Sequence, residues 1–340
     1  MKAIKLIKHG GVDNLIISDI KEPEPGKGEV RIKTRTIGLN FAEIQSRKGL
    51  YGWAPKLPYV LGMEAFGKID AIGPGVSDWK IGEPVIVATQ YGAYAEQIVV
   101  SQDQALPALR DFTAEENAAF AVQYMTAWVA LFEMARLKPT DTVLIQAAAG
   151  GVGTAAVQLA KAYGCKVFGT VGSDFKKPLL QKLNIDAVIN YRKQDFSQEI
   201  HRINRKGVDV ILEVVGGEVY RKSIQLLNPF GRLIVIGFAS LNLNKLNPIS
   251  VYQTLQAIPR VNVSKMAEKS YSVGASHLGY LLKDTDRMLR VWADMATYVT
   301  EHKIHPIVGH TFSFDQMGAA HTLMESRQST GKIVVKIDND

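Results

Sequence analysis

The chain has 340 residues, 46% of them hydrophobic and 21% charged, with a formal net charge of +7; at roughly 100–200 residues per domain this is an ordinary globular composition with material for two cores. One cysteine, Cys165, excludes an intramolecular disulfide and a four-cysteine zinc site, while the lack of a signal-peptide segment at Met1 to Leu6 and of any apolar run near the roughly 20 residues of a membrane span points to the cytoplasm without membrane insertion. The basic residues are dispersed, and Arg202, Arg205 and Lys206 read as a solvated helix end, so the charge suits a polyphosphate ligand and names no specific nucleic acid.

The first 110 residues read as β-rich. Val30 to Ile37 alternates apolar and polar residues, and turns recur at Glu24-Pro25-Gly26, Gly73-Pro74-Gly75 and Gly82-Glu83-Pro84. Short strands between such turns predict a compact barrel or sandwich. Ala114 to Ala135 reads as helical. Beyond Lys138-Pro139 the chain alternates between strand candidates (Thr142 to Ala147, Lys166 to Val171, Ala187 to Asn190, Val208 to Val214, Arg232 to Gly237) and helical ones. Those helices are Gly151 to Tyr163, Phe175 to Leu183, Phe196 to Asn204 and Glu218 to Leu227. Strands separated by helices imply right-handed crossovers and a parallel sheet covered on both faces. Tyr280 to Tyr298 reads as a helix. Lys332 to Ile337 reads as a strand with no place in that sheet, which would make the N-terminal domain discontinuous.

The strongest local signal is Ala147-Ala148-Ala149-Gly150-Gly151-Val152-Gly153, which follows an apolar strand and opens a helix. Small residues there let the backbone approach a pyrophosphate, and the helix N-terminus supplies unpaired N–H groups. Gly150, Gly151, Val152 and Gly153 are therefore candidate cofactor contacts. An NAD site carries an acid about 20 residues on, at the end of the second strand. Here the stretch is Gly172-Ser173-Asp174-Phe175-Lys176-Lys177. Ser173 and Lys176 suit a 2′-phosphate, which a carboxylate would repel, so NADPH is the expected cofactor. Asp174 reads as the cap of the next helix, and Tyr191 and Arg192 are placed to close over the adenosine end.

These residues resemble the medium-chain dehydrogenase/reductase superfamily, in its zinc-free quinone oxidoreductase branch, which includes zeta-crystallin-like proteins. The resemblance spans nearly the whole chain and is carried by Asn40-Phe41-Ala42-Glu43, Gly49-Leu50-Tyr51, Leu61 to Gly67, Met125-Thr126-Ala127-Trp128, Ala147 to Gly153, Gly172 to Lys176 and Ser326 to Lys332. It implies an α/β fold in which a Rossmann doubly wound parallel sheet (residues 123–267) is inserted in a GroES-like β-barrel catalytic domain (residues 1–122 and 268–340). It also implies the positions of two absent zinc ligands. Asn40 stands where zinc-dependent relatives carry a cysteine and Met63 where they carry a histidine, and an amide and a thioether are poor zinc ligands. No metal is expected. His302 and His305 read as surface residues.

Without a metal to polarise an alcohol, the expected chemistry is hydride transfer from NADPH to an electron-poor acceptor, a quinone or α,β-unsaturated carbonyl. Tyr51 is the first catalytic candidate, either a donor to the developing oxyanion or an aromatic wall. Asn40 is the second, either an amide donor, also near the cofactor, or a loop asparagine bonded to its own backbone. By resemblance, Thr126 and Arg327 approach the cofactor. Gly237 and Phe238 end the fifth strand at the sheet's carboxyl edge. Lys332 either reaches the cofactor region or makes a surface ion pair. Tyr91, Tyr94 and Cys165 read as structural. Two alternatives stay open: an enoyl-thioester or alkenal reductase whose cleft the loop from Ser240 to Pro259 lines, and a non-enzymatic NADPH-binding or RNA-associated protein. The apolar fifth strand, followed by an edge segment, suggests a homodimer.

Overall fold

In the computed structural model, which describes residues 1–239, 258 and 260–337, the alternating N-terminal stretches are strands. β1 (Lys2–Leu6) and β2 (Leu15–Asp19) pair antiparallel. β3 (Glu29–Gly38) turns Val30, Ile32 and Ile37 into the core, each fully buried. Helix α1 (Phe41–Arg47) follows, then β4 (Tyr59–Val60), β5 (Glu64–Ile72), β6 (Pro84–Ala88), β7 (Gln97–Ser101) and β8 (Ala105–Pro107). The glycine turns have a steric cause: a Cβ on Gly73 would lie 1.8 Å from the Gly26 carbonyl oxygen.

The expected helix from Ala114 to Ala135 is broken. Thr113 caps α2 (Ala114–Ala118) by accepting from the Glu116 N–H. After α3 (Ala121–Trp128) the helix widens to a π-turn over Val129–Met134 and ends before Arg136, whose φ is 48°.

The alternating middle of the chain is a six-stranded parallel sheet. β9 (Thr142–Ile145), α4 (Gly151–Ala162), β10 (Lys166–Val171), α5 (Lys177–Lys182), β11 (Ala187–Asn190), α6 (Phe196–Ile203), β12 (Val208–Glu213), α7 (Gly217–Gln225) and β13 (Leu227–Val235) succeed one another. After α8 (Val263–Lys269) comes β14 (Ser272–Ala275), a strand the sequence does not announce, because its serine and glycine positions show no apolar alternation. The spatial order is β11-β10-β9-β12-β13-β14, reversing between β9 and β12. Leu144, Phe168, Ile211 and Leu233 from four adjacent strands share its core with Phe196 and Ile200 of α6. β13 begins at Leu227 rather than Arg232, its first residues set off by a register shift. The loop read as Ser240 to Pro259 lies, Ile258 apart, outside the described residues.

Cys165 is 2% exposed, with its thiol on the Lys138 carbonyl at 3.2 Å. Burial, with Asp141 nearby, pushes that thiol up to about 11, and thiolate is the reactive form. Native protein at neutral pH is expected to consume no thiol reagent over minutes, and to react with one equivalent when unfolded in urea.

The remainder returns to the first sheet. α9 (Leu278–Leu281) and α10 (Thr285–Glu301) replace the single expected helix from Tyr280 to Tyr298, because Asp284 starts a new one by accepting from the Arg287 N–H. β15 (Val308–Ser313), α11 (Met317–Glu325) and β16 (Lys332–Lys336) complete the described chain. β16 lies between β15 and β3, in the order β15-β16-β3-β5-β6-β8, with β7 also on β3. The residues thus form two compact units, Met1–Met125 with those from Leu278 onward, and Thr126–His277.

Candidate active site

In the second unit the glycine turn closes the carboxyl end of β9 at the point where strand order reverses, the position where ligands sit in doubly wound sheets. Ala147 takes a left-handed φ of 52° there, and its N–H donates to the Thr170 hydroxyl at 3.2 Å. A Cβ on Gly153 would stand 2.4 Å from the Ala147 carbonyl oxygen and 2.7 Å from Ala148 backbone atoms. Only glycine lets α4 start this close to the strand. A buried polar chain braces the same edge. Thr170 donates to Gln146 at 2.6 Å, Gln146 to Ser223 at 3.1 Å and Ser223 to Glu213 at 3.3 Å, while Glu213 accepts the N–H groups of Val215 and Gly216. Burial raises the Glu213 carboxyl above its usual range, opposed by those N–H donors. These polar residues were not anticipated as a group, although a polar Gln146 ending an apolar strand is their visible trace.

Beyond β10, Ser173 and Lys176 are half-buried. The Lys176 ammonium lies below the usual lysine range, through burial first and then through the neighbouring Arg192 cation. Two cations held together suit an anion. Asp174 corrects the sequence reading: its carboxylate caps no helix, since it is the first residue of a 3-10 turn over Asp174–Lys176, and the N-cap position of α5 falls to Lys176. It pairs with Lys177 at 2.9 Å and Lys193 at 2.6 Å and accepts from the Asn190 amide at 3.0 Å. These partners hold its carboxyl well below the usual range, the Lys193 bond being the largest cause. Lys177 is thereby tied to Asp174. A Cβ on Gly172 would meet the Tyr191 hydroxyl at 2.5 Å, so Tyr191 lies across that glycine. Thr126 is half-buried in α3, and Gly237 and Phe238 follow the carboxyl end of β13 with Phe238 exposed.

In the first unit, Asn40 and Lys332 are brought together. The Lys332 ammonium donates to Asn40 Oδ1 at 2.8 Å and is ion-paired with Glu64 Oε1. Asn40 Nδ2 donates to the same Glu64 oxygen at 3.0 Å, and the Val122 N–H donates to Glu64 Oε2 at 3.0 Å. Lys332 is 2% exposed and Glu64 fully buried, which overturns the surface ion-pair reading of Lys332. Burial pulls its ammonium below the usual lysine range, to about 7, against the pull of the Glu43 carboxylate. Arg327 is exposed at the end of α11, with φ 60°.

Glu43, which the sequence reading gave no role, organises the next layer. It accepts the N–H groups of Asn40 at 2.8 Å and Met63 at 2.7 Å and the Tyr94 hydroxyl at 2.5 Å. Burial raises its carboxyl above the usual range while those donors lower it. Tyr94 has one hydroxyl hydrogen, so its 3.0 Å contact with His321 is donated by Nε2–H. His321 Nδ1 is then an unprotonated acceptor with no partner among the described residues. Tyr51 is half-buried, and burial, aided by the Glu43 charge, lifts its phenol above the usual range and keeps it a hydrogen donor.

The residues at Asn40, Met63 and Glu64 do not fit a zinc ion. An amide and a thioether are weak zinc ligands, and Glu64 is occupied by an ammonium, a donor without lone pairs. No group of three metal-ligating side chains is gathered among the described residues, and no described helix is long and apolar enough to cross a membrane.

Comparison with known proteins places this geometry. Residues 26–110 match the alcohol dehydrogenase GroES-like domain and residues 151–280 the zinc-binding dehydrogenase family. The synaptic vesicle membrane protein VAT-1 homolog of Danio rerio is 33% identical over 338 residues, covering 98% of this chain and 69% of that protein. The Escherichia coli quinone oxidoreductase complexed with NADPH superposes with a TM-score of 0.88 at 28% identity, covering 99% of this chain and 100% of that one. CurK enoyl reductase does so with 0.85 at 28% identity over 99% of both. The chain belongs to the medium-chain dehydrogenase/reductase superfamily, an oxidoreductase family, and its Asn40 and Met63 fit the zinc-free branch.

Proposed function

We propose that the protein reduces quinones or related α,β-unsaturated carbonyl compounds with NADPH and without zinc. The observation that carries this reading is the Lys176 cation beside the Arg192 cation beyond a glycine turn, with the acid just ahead of Lys176 in sequence, Asp174, neutralised by Lys177 and Lys193. Gly150, Gly151, Val152 and Gly153 would take the pyrophosphate. Ser173 and Lys176 would take the 2′-phosphate, and Tyr191 the adenosine. Thr126, Gly237, Phe238 and Arg327 would border the cofactor, with Lys332 acting from behind Asn40. Bound there, NADPH supplies the hydride. Tyr51, held protonated, and Asn40, through its amide N–H, would stabilise or protonate the oxygen that gains charge. The likeness to E. coli quinone oxidoreductase supports the acceptor class.

The test is purified protein with NADPH and a quinone, following cofactor oxidation and product stoichiometry. NADH turning over as well as NADPH would remove the cofactor assignment. Lys176→Ala is expected to raise KM for NADPH about tenfold, the loss of one charge-assisted contact, with NADH kinetics unmoved. A second reading, an enoyl-thioester reductase, is favoured by the likeness to CurK enoyl reductase, and a panel of quinones, short enals and enoyl thioesters separates the two. The working compartment proposed is the cytoplasm. The form proposed is a homodimer joined at β14, the last strand of its sheet among the described residues.

A further inference from the structure

The side-chain amide of Asn40 is fixed from behind. A carboxamide has two faces of opposite polarity that differ little in shape, so on its own it flips. Here one neighbour is donor-only and the other acceptor-only. As the ammonium, the form its ion pair with Glu64 favours, Lys332 can only donate, and it meets Oδ1 at 2.8 Å. The Glu64 carboxylate can only accept, and it meets Nδ2 at 3.0 Å. Lys332 and Glu64 also pair with each other, and Glu64 Oε2 is bound by the Val122 N–H. Space for the carboxylate comes from Gly38, where a Cβ would lie 2.9 Å from Glu64 Cγ and Oε1 and 2.1 Å from the Ala118 carbonyl oxygen. Both charged residues are buried, whereas Asn40 is half-exposed. The second Nδ2 hydrogen has, among the described residues, only the Gly38 carbonyl at 3.4 Å, a weak contact.

We infer that Lys332 and Glu64 are positioning residues that lock the Asn40 amide in one orientation, so that an N–H is presented to the substrate oxygen and the amide oxygen is kept turned away from it. This rests on the proposed role of Asn40. A buried ion pair is a poor source of stability, because desolvation offsets attraction, and fixing the polarity of a neighbouring group is a use that suits its expense.

The experiment combines two readouts on Lys332→Met/Glu64→Gln, which removes both charges with little change in volume. With asparagine-selective ¹⁵N labelling, one Asn40 side-chain hydrogen in the parent protein should exchange with solvent at least about tenfold more slowly than those of exposed asparagines. In the variant that protection should vanish. Kinetically, Asn40→Ala should lower kcat/KM for a quinone by about 10–100-fold, mostly in kcat. Adding the Lys332→Met/Glu64→Gln change to Asn40→Ala should then cost less than about threefold more. Should that double variant fail to fold, Lys332→Gln/Glu64→Gln decides, because a carboxamide at each position both donates and accepts, so that neither selects one face of Asn40. Retained protection of Asn40, or fully additive kinetic losses, overturns the inference. Absence of any quinone turnover by the parent protein would instead remove the proposed function and leave the exchange measurement to judge the orientation.

Discussion

Gly153→Ala is expected to weaken NADPH binding at least about a hundredfold, some 2.8 kcal/mol, and to lower stability at the same time. The added methyl would sit 2.4 Å from one backbone oxygen and 2.7 Å from backbone carbons, distances that no rotamer change relieves. The β9–α4 turn must open. Overpacking of this kind costs about 3 kcal/mol, or roughly 6–12 °C in the unfolding midpoint of a domain this size. Gly150→Ala is the informative partner. Gly150 has an ordinary φ of −82°, and its Cβ would meet nothing closer than the Ala147 carbonyl oxygen at 3.5 Å. It should melt within about 2 °C of the parent, so any affinity it loses reports the approach of the cofactor alone. Calorimetric titration with NADPH and thermal unfolding of both variants check this. Parent-like affinity in Gly153→Ala would contradict the steric account.

Acidification should destabilise the first unit through His321. Its imidazole is fully buried, and burial, with Arg47 nearby, lowers it from 6.5 to about 3. Below pH 6.5 the unfolded chain binds a proton that the folded chain refuses until about pH 3, so stability is whole above that window and falls as pH drops through it. Between about pH 7.5 and 5 the loss from this one residue is about 2 kcal/mol. His321→Gln keeps a donor for Tyr94 and does not titrate. Urea unfolding of both proteins at the two pH values should show the parent losing about 2 kcal/mol more than the variant. Equal losses would mean that His321 is protonated or solvated in the folded protein.

The parallel sheet was readable because each β/α repeat carries its own periodicity: Lys166 to Val171 and Ala187 to Asn190 were found to the residue. β14 was not, since strand formation there is dictated by an open neighbour, β13, rather than by its own Ser-Val-Gly-Ala. Two expected helices are broken: Ala114 to Ala135 at Ala119–Phe120, between α2 and α3, and Tyr280 to Tyr298 at Asp284, where a capping hydrogen bond overrides composition. At the candidate site, the need for glycine at Gly153 was legible from spacing, because only there must α4 start so close to β9. Asp174 was misread because its partner Lys193 lies beyond another strand. Glu43, Tyr94 and His321 stand far apart in sequence, and no local pattern joins them.

The place of β16 between β15 and β3 has a consequence for biosynthesis. The second unit is one continuous stretch, so it can fold on the ribosome as soon as it emerges. The first unit has to wait, with the Thr36 to Gly38 end of β3 lacking its β16 partner, while residues 126–337 are translated, roughly 11–42 s at ~5–20 residues per second. During that interval the unpaired backbone of this short end of β3 is a strand edge open to pairing with another chain.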